Sequence, residues 1–264
     1  MRIIILKIII VFLGIGLFLF FLFMWLVSPL PCNEKNICFD KSHLIAHAAG
    51  SVDGCNYLNC KEGLFSSLKK GYKYIEVDLG MTTDSSLVCI HDWRHFHKLT
   101  TFDSIISQEP ISEKEFLKRK ILGKYTPLTL TDVIRARNSF PFIIITDKVS
   151  DPQLLNSYFL GNRQTTMVEA FSLDDYVELK KSGYIPMMSE YTFSYSQIFW
   201  LFIYLPLKHN IKIDWVCIHS SSNMKSLRIL KRLFNCKVAM YGKYNSSFLK
   251  EHLGKEIDLI YVDE

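Results

Sequence analysis

Past an uncharged apolar stretch from Ile8 to Val27, short apolar runs alternate with segments whose apolar residues recur at helical spacing. The runs are Leu44–Ala48, Tyr74–Leu79, Leu87–Ile90, Phe142–Ile145, Met167–Phe171, Ile185–Met188, Trp215–Ile218, Val238–Tyr241 and Leu259–Val262. Helical periodicity falls between them, as in Glu62–Lys70, Leu130–Arg137, Leu173–Lys181, Lys225–Leu233 and Ser247–Leu253. Strands that are apolar nearly throughout are covered on both faces, which points to a parallel sheet flanked by helices. About eight such units in the ~220 residues after the first stretch predict a closed (β/α)8 TIM barrel. A doubly wound open sheet is the alternative, but no glycine-rich phosphate loop follows the first run.

Two segments break the rhythm. His95 to Tyr125 has mixed polarity and reads as a loop over the barrel mouth or a small inserted element. Phe193 to Leu207 is aromatic and apolar but too short to span a membrane. It reads as a barrel helix buried on one face, or as a helix resting on a membrane surface.

Ile8–Val27 reaches about 30 Å at ~1.5 Å per residue, enough for a bilayer core. Arg2 and Lys7 precede it, while Glu34, Lys35, Asp40 and Lys41 nearly cancel after it. The positive-inside rule therefore puts the N-terminus in the cytoplasm and the remainder outside. A cleaved signal peptide has a shorter apolar core ending in small residues, and here the end is Trp25-Leu26-Val27-Ser28-Pro29. The expected organisation is a transmembrane anchor over 1–28, a linker over 29–41 and one domain over 42–264.

The 264 residues carry a formal charge of +5 with no Lys/Arg run or basic-aromatic stripe, which argues against nucleic acid as a partner. There are seven cysteines. Cys89, Cys217 and Cys236 lie in strand-like runs or at their edges and read as small buried apolar groups. Cys32, Cys38, Cys55 and Cys60 lie in loop-like sequence, where Cys32–Cys38 and Cys55–Cys60 bridges would suit an exported domain. No cysteine or histidine spacing suggests zinc.

The chemistry-bearing residues concentrate between His47 and Asp92. Glu76 and Asp78 are two apart on one strand, so they share a face, with Ile75, Val77 and Leu79 on the other. Two acids at inward positions repel and resist desolvation unless a cation or proton lies between them. Their oxygens suit Mg2+ or Ca2+. His47 ends the first run and His91 the third, which supplies a pair of proton-transfer groups. Asp147 and Lys148 end the Phe142 run; Asp147 is placed to complete the metal shell, and Lys148 to hold a phosphate oxygen. His219 ends the Trp215 run, and Glu169, Glu190 and Asp263 lie on later strands; these are weaker candidates. Asp92 can orient His91 or the backbone near it, and Trp93 fits a pocket wall or the core. His95 and His97 read as loop surface, and Thr83-Asp84-Ser85-Ser86 as a turn between strands.

The series His47-Ala48-Ala49-Gly50, Gly71 before Glu76-Val77-Asp78, Thr82-Thr83-Asp84-Ser85 and His91-Asp92 resembles the glycerophosphodiester phosphodiesterase family, a group of TIM barrels. The resemblance covers about residues 44–93 and implies that His47 and His91 act as acid and base and that Glu76 and Asp78 bind a divalent metal. It also implies an acid and a lysine on the family's third barrel strand, to which the Phe142 run with Asp147 and Lys148 corresponds. The departures are specific. The family's arginine after the first histidine is Ala48. Thr146 stands where its third acid would be, two before the lysine, so Asp147 must substitute or that ligand is missing. Asn59-Cys60-Lys61-Glu62 replaces a Glu-Asn-Thr segment. Spider sphingomyelinase-type phospholipases, relatives with similar paired histidines, show how far the substrate can drift.

The function implied is a membrane-anchored, metal-dependent phosphodiesterase acting on a glycerophosphodiester, a lipid headgroup or a cell-envelope phosphodiester. The alternative, favoured by Ala48 and Thr146, is a non-catalytic envelope barrel that binds phosphorylated ligands or partners. A glycoside hydrolase fits poorly, because same-face carboxylates two residues apart sit closer than either glycosidase geometry requires.

Overall fold

The computed structural model describes residues 2–31, 41–101 and 106–263. The apolar runs form strands β1 (Leu44–Ala46), β2 (Tyr74–Met81), β3 (Leu87–Cys89), β4 (Ile143–Asp147), β5 (Thr166–Ala170), β6 (Ile185–Ser189), β7 (Trp215–His219), β8 (Lys237–Tyr241) and β9 (Leu259–Val262). All but β3 are parallel, and they close into a barrel because β1 pairs with both β2 (Ile45 beside Tyr74) and β9 (Ile45 beside Tyr261). The architecture is the eight-stranded TIM barrel that the alternation predicts. The Leu87 run departs from the rhythm. It returns antiparallel along the extended end of β2, Leu79 facing Cys89, through the expected turn, where Ser85 takes φ 62°.

Side chains alternate between two cores. Ile45, Ile145, Met167, Met187, Cys217, Ala239 and Leu259 fill the barrel interior. Ile75, Val77, Ile144, Val168 and Val216 face the helices. The helices are α1 (Arg2–Val27), α2 (Lys61–Lys69), α3 (Trp93–Thr100), α4 (Glu113–Lys118), α5 (Leu130–Ser139), α6 (Pro152–Tyr158), α7 (Leu173–Lys181), α8 (Tyr195–His209), α9 (Met224–Phe234) and α10 (Ser246–His252). Their starts follow local chemistry: Thr129 and Asp132 form a capping box on α5, and Ser194 and Gln197 one on α8. Asn210 and Asn235 end α8 and α9 in the left-handed conformation.

The His95–Tyr125 segment is an inserted element with its own small core. The rings of Phe96 of α3 and Phe116 of α4 lie 4.7 Å apart, joined by Ile121, Tyr125, Val88 of β3 and Ile90 just after it. This corrects the reading of two histidines as loop surface. His97 is buried on α3, with Nε2 2.8 Å from the Glu109 carbonyl and Nδ1 2.8 Å from the Arg119 guanidinium. His95, half-buried, lies on the same helix.

The cysteines need a second correction. Cys55 and Cys60 are free thiols. Cys60 is buried at the N-cap of α2, where its sulfur accepts the Gly63 N–H, so that cap rather than a bridge holds it. The Cys32–Cys38 expectation falls outside the described residues. Cys89, Cys217 and Cys236 are buried, as their apolar surroundings imply.

Helix α1 carries the uncharged stretch. Its Ile10–Val27 span has a mean hydropathy of 2.8, none of it is buried against the barrel, and it is long and apolar enough to cross a membrane. Its end meets the barrel. Arg228 and Arg232 of α9 donate to the carbonyls of Val27 and Pro29, each at 3.2 Å, and the Arg232 guanidinium lies 4.9 Å from the centre of the Trp25 ring. The aromatic Phe193–Leu207 segment is α8, a barrel helix with one buried face made by Ile198, Phe202 and Leu205.

Candidate active site

Strand β2 sets the site. Its alternation turns Glu76 and Asp78 into the barrel, where both are almost fully buried, at 1% and 2% exposure. The Ala48 N–H donates to Glu76 Oε2 at 2.7 Å and the Asn59 amide to Asp78 Oδ2 at 2.9 Å. Ala48 can do this because the chain turns after β1 through left-handed Ala48 and Ala49 (φ 49° and 66°), which aims an amide inward. Asp147 ends β4 directly beside Asp78. Oxygens of Glu76, Asp78 and Asp147 lie within 4.8 Å of one another.

Burial, reinforced by the charges of Asp78 and Asp147, drives the Glu76 carboxyl well above its ordinary range. Burial also raises Asp78, against the pull of the Asn59 amide. Glu76 Oε1 is buried with no hydrogen-bond partner. Three crowded carboxylates and an orphaned inward oxygen fit a hard divalent cation, which would satisfy that oxygen and offset the repulsion.

The β4 register answers a question left open by the sequence. Ile143 and Ile145 belong to the barrel interior and Ile144 to the helix layer, so Asp147 points in and Thr146 points out. Thr146 is wholly buried, and its hydroxyl finds no partner. Asp147 is therefore the β4 acid that stands with Glu76 and Asp78. Lys148 follows at φ 71°, and this turn brings its ammonium back to 3.3 Å from Asp147 and 3.9 Å from Asp78. Partial burial opposes its charge, but the two acids prevail and raise its pKa.

The two imidazoles share one cavity with these groups, and each has a carboxylate behind it. His47 Nδ1 lies 2.9 Å from Asp263 Oδ1, leaving Nε2 directed inward, 3.9 Å from Glu76. The other Asp263 oxygen accepts the Tyr57 hydroxyl at 3.0 Å. The bond from His47, with help from Tyr57, holds Asp263 low. His91 Nδ1 lies 2.8 Å from Asp92 Oδ2, while Asp92 Oδ1 accepts the His95 N–H and caps α3. Asp92 thus orients both the imidazole and the backbone. Trp93 packs in the inserted element and donates to the Met81 carbonyl at 3.2 Å.

The cavity measures about 600 Å³. Tyr57, Phe171, Tyr191, Tyr241 and Tyr261 make much of its wall. Among its lining residues Lys148 is the lone Lys or Arg, and no arginine replaces the one missing at Ala48. Glu169 also lines it, buried, with the Tyr261 hydroxyl 2.8 Å and the Cys217 thiol 3.3 Å from Oε1. Burial, then Asp147, pushes Glu169 up to about 7. His219 and Glu190 do not reach the cavity. His219 Nδ1 is 2.7 Å from the Ser221 hydroxyl, and Glu190 accepts the His219 N–H and the Ser222 hydroxyl.

The sequence reading missed Tyr57, Asn59 and Tyr261 as contributors. For Tyr261 a signal existed: Leu259, Tyr261 and Asp263 alternate as Glu76 and Asp78 do, so the tyrosine shares the inward face with the acid. Tyr57 and Asn59 sit in a loop with φ of 60° and 46°, where no periodicity applies.

The sequence model of the Glycerophosphoryl diester phosphodiesterase family matches residues 61–190, a span that contains Glu76, Asp78, His91, Asp147 and Lys148 but neither His47 nor Asp263. Comparison with curated proteins gives no match. Solved structures with the same fold include a glycerophosphodiester phosphodiesterase from Agrobacterium tumefaciens, 18% identical over 84% of this chain and 96% of that one, TM-score 0.64. Another, from Thermotoga maritima, is 19% identical over 84% and 95%, TM-score 0.62. A third, a putative glycerophosphoryl diester phosphodiesterase also from Agrobacterium tumefaciens, is 14% identical over 84% and 94%, TM-score 0.65.

Proposed function

Because this chain is a divergent member of the glycerophosphodiester phosphodiesterase family, we propose that it hydrolyses a phosphodiester by histidine acid/base chemistry with the help of a divalent metal. One observation carries the reading: two carboxylate-backed imidazoles and three clustered acids line a single cavity at the carboxyl ends of the strands. Glu76, Asp78 and Asp147 would hold Mg2+ or Ca2+, which when bound neutralises phosphate charge and favours the transition state.

The protein's own groups do the rest. One of His47 and His91 takes the proton of the attacking water as its oxygen bonds to phosphorus. The other gives a proton to the alkoxide as the second P–O bond breaks. Asp263 and Asp92 fix the two rings so that Nε2 of each is the exchanging atom. Lys148 meets a phosphate oxygen as a point charge, a task it performs without the arginine that Ala48 replaces.

The α1 helix would anchor residues 1–28 in the membrane, and residues 29–41 would link it to the domain at 42–264. With Arg2 and Lys7 on the cytoplasmic side, the barrel lies outside the cytoplasm. That location suits a glycerophosphodiester, a lipid headgroup or an envelope polymer bearing phosphodiesters.

The test is divalent-dependent cleavage of bis-(p-nitrophenyl) phosphate and glycerophosphocholine by the full chain. Activity lost in His47→Ala and Glu76→Ala supports the enzyme. Ligand binding without turnover on a broad diester panel would replace it with a binding protein.

A further inference from the structure

Helix α8 has a second apolar face that its place in the barrel does not use. Ile198, Phe202 and Leu205 pack inward. Trp200, Ile203, Tyr204 and Leu207 recur at i, i+3, i+4 and i+7 on the outside, 67%, 37%, 37% and 83% exposed. No acid occurs between Tyr195 and His209, and Lys208 lays its ammonium 5.1 Å from the centre of the Tyr204 ring. A soluble barrel helix turns such a face to charge and water. Here a tryptophan, a tyrosine and a trailing lysine flank two aliphatic side chains, the mixture suited to the headgroup boundary of a bilayer.

The position of α8 says which surface is available. Phe202 stacks on Phe234 of α9 at 4.6 Å, and Phe199 meets the same ring at 5.3 Å. Two residues earlier on α9, Arg232 holds Pro29 and Trp25 at the end of α1. The exposed stripe is therefore one helix away from the point where the membrane-length helix meets the barrel. A second copy of the chain is a poorer occupant: these four side chains offer roughly 500 Å², short of the ~800 Å² per partner of a stable interface.

We propose that the outer face of α8 lies in the lipid headgroup region of the bilayer that α1 enters, as a second membrane contact of the barrel. The contact rests on the anchor reading given above, and not on catalysis. It has a consequence for the site. Tyr191, 84% exposed, lines the cavity four residues before α8 begins, so the bilayer surface lies beside the cavity mouth.

The test uses the full chain in phosphatidylcholine–phosphatidylglycerol vesicles. Trp25→Phe removes the fluorophore of the anchor and leaves Trp200 as the exposed indole, since Trp93 is half-buried and Trp215 buried. Lipids brominated near the headgroup end of the acyl chain should quench part of the emission of this variant, and that part should vanish in Trp25→Phe/Trp200→Phe. Emission untouched by bromine but quenched by aqueous iodide would overturn the proposal. So would emission shielded from both, with the chains cross-linking as pairs, which would assign the face to a second copy. Alkaline carbonate extraction reads α1 separately. A chain that stays with the vesicles while Trp200 escapes bromine sinks the α8 contact alone; a chain released by carbonate sinks the anchor and the contact together.

Discussion

Asp78 and Asp147 are register partners on neighbouring parallel strands, two carboxylates set side by side in a barrel interior. With Glu76 they bring oxygens within 4.8 Å of one another. Lys148 reaches Asp78 and Asp147 but not the orphaned oxygen of Glu76. Without a cation such an arrangement opposes folding, because desolvation and mutual repulsion act in the same direction.

Mg2+ or Ca2+ should therefore stabilise the protein, by about 2.7 kcal/mol at a hundredfold excess over Kd. Asp147→Asn should lose most of that gain along with diester cleavage. Thermal melts with and without chelator check it; an unchanged metal-induced gain in the variant would remove Asp147 from the shell.

The neighbouring residue should behave oppositely. Thr146 buries a hydroxyl with no partner among the helix-facing side chains. Thr146→Val should stabilise by roughly 1 kcal/mol and leave metal response and turnover unchanged. Denaturant midpoints and steady-state kinetics would show whether this hydroxyl has a role at the ion.

Asp263, just past the end of β9, backs His47 from the strand that lies beside β1. Asp263→Asn should lower kcat roughly 10–10³-fold with little change in KM, less than the roughly 10²–10⁴-fold loss expected for His47→Ala. Partial recovery in Asp263→Glu would mark orientation of the ring as the cause. Equal activity in wild type and Asp263→Asn would show that the carboxylate is idle.

Glu169 gives the metal-free protein a pH dependence. Its carboxyl sits near 4.5 when unfolded and is pushed up to about 7 by burial and then Asp147. Between those values the folded state holds the extra proton, so stability falls as pH rises, by about 3 kcal/mol in all. Glu76 and Asp78 shift in the same direction and add to the slope. Glu169→Gln should flatten it. Urea midpoints in chelator at about pH 5 and about pH 8 measure the difference. A slope unaltered by the substitution would mean that Glu169 is not the group.

Gly50 closes the turn that aims the Ala48 amide. It sits at φ 90°, and a Cβ there would lie 1.9 Å from the Ser67 hydroxyl, which itself donates to the Ala49 carbonyl. Gly50→Ala should cost roughly 2–5 kcal/mol from overlap and backbone strain together. Adding Ser67→Ala should recover only part, since the φ penalty remains; calorimetric melts of the two variants separate the terms.

The fold and the heart of the site were legible because both rest on short periodicities. The run of Ile143 to Asp147 identifies a buried strand, and the two-residue period from Glu76 to Asp78 names one face. Applied to Ile143, Ile145 and Asp147, the same period also decides between Asp147 and Thr146. Counting back from the family lysine misleads, because Lys148 reaches the site by a left-handed turn and not by continuing the strand. What stayed hidden depends on contacts between segments distant in the chain. His97 looked like surface because Glu109 and Arg119, which bury it, belong to an insertion with no period of its own. Cys55 and Cys60 looked like a bridge because proximity in sequence says nothing of a thiol turned to cap a helix.

The bond between His47 and Asp263 spans 216 positions, so the first imidazole waits for its partner throughout synthesis of the barrel. At ~5–20 residues per second the ribosome needs roughly 10–40 s to cover that distance. Seating of β9 against β1 supplies the carboxylate, so the last strand to be made both closes the barrel and fixes the orientation of its first imidazole.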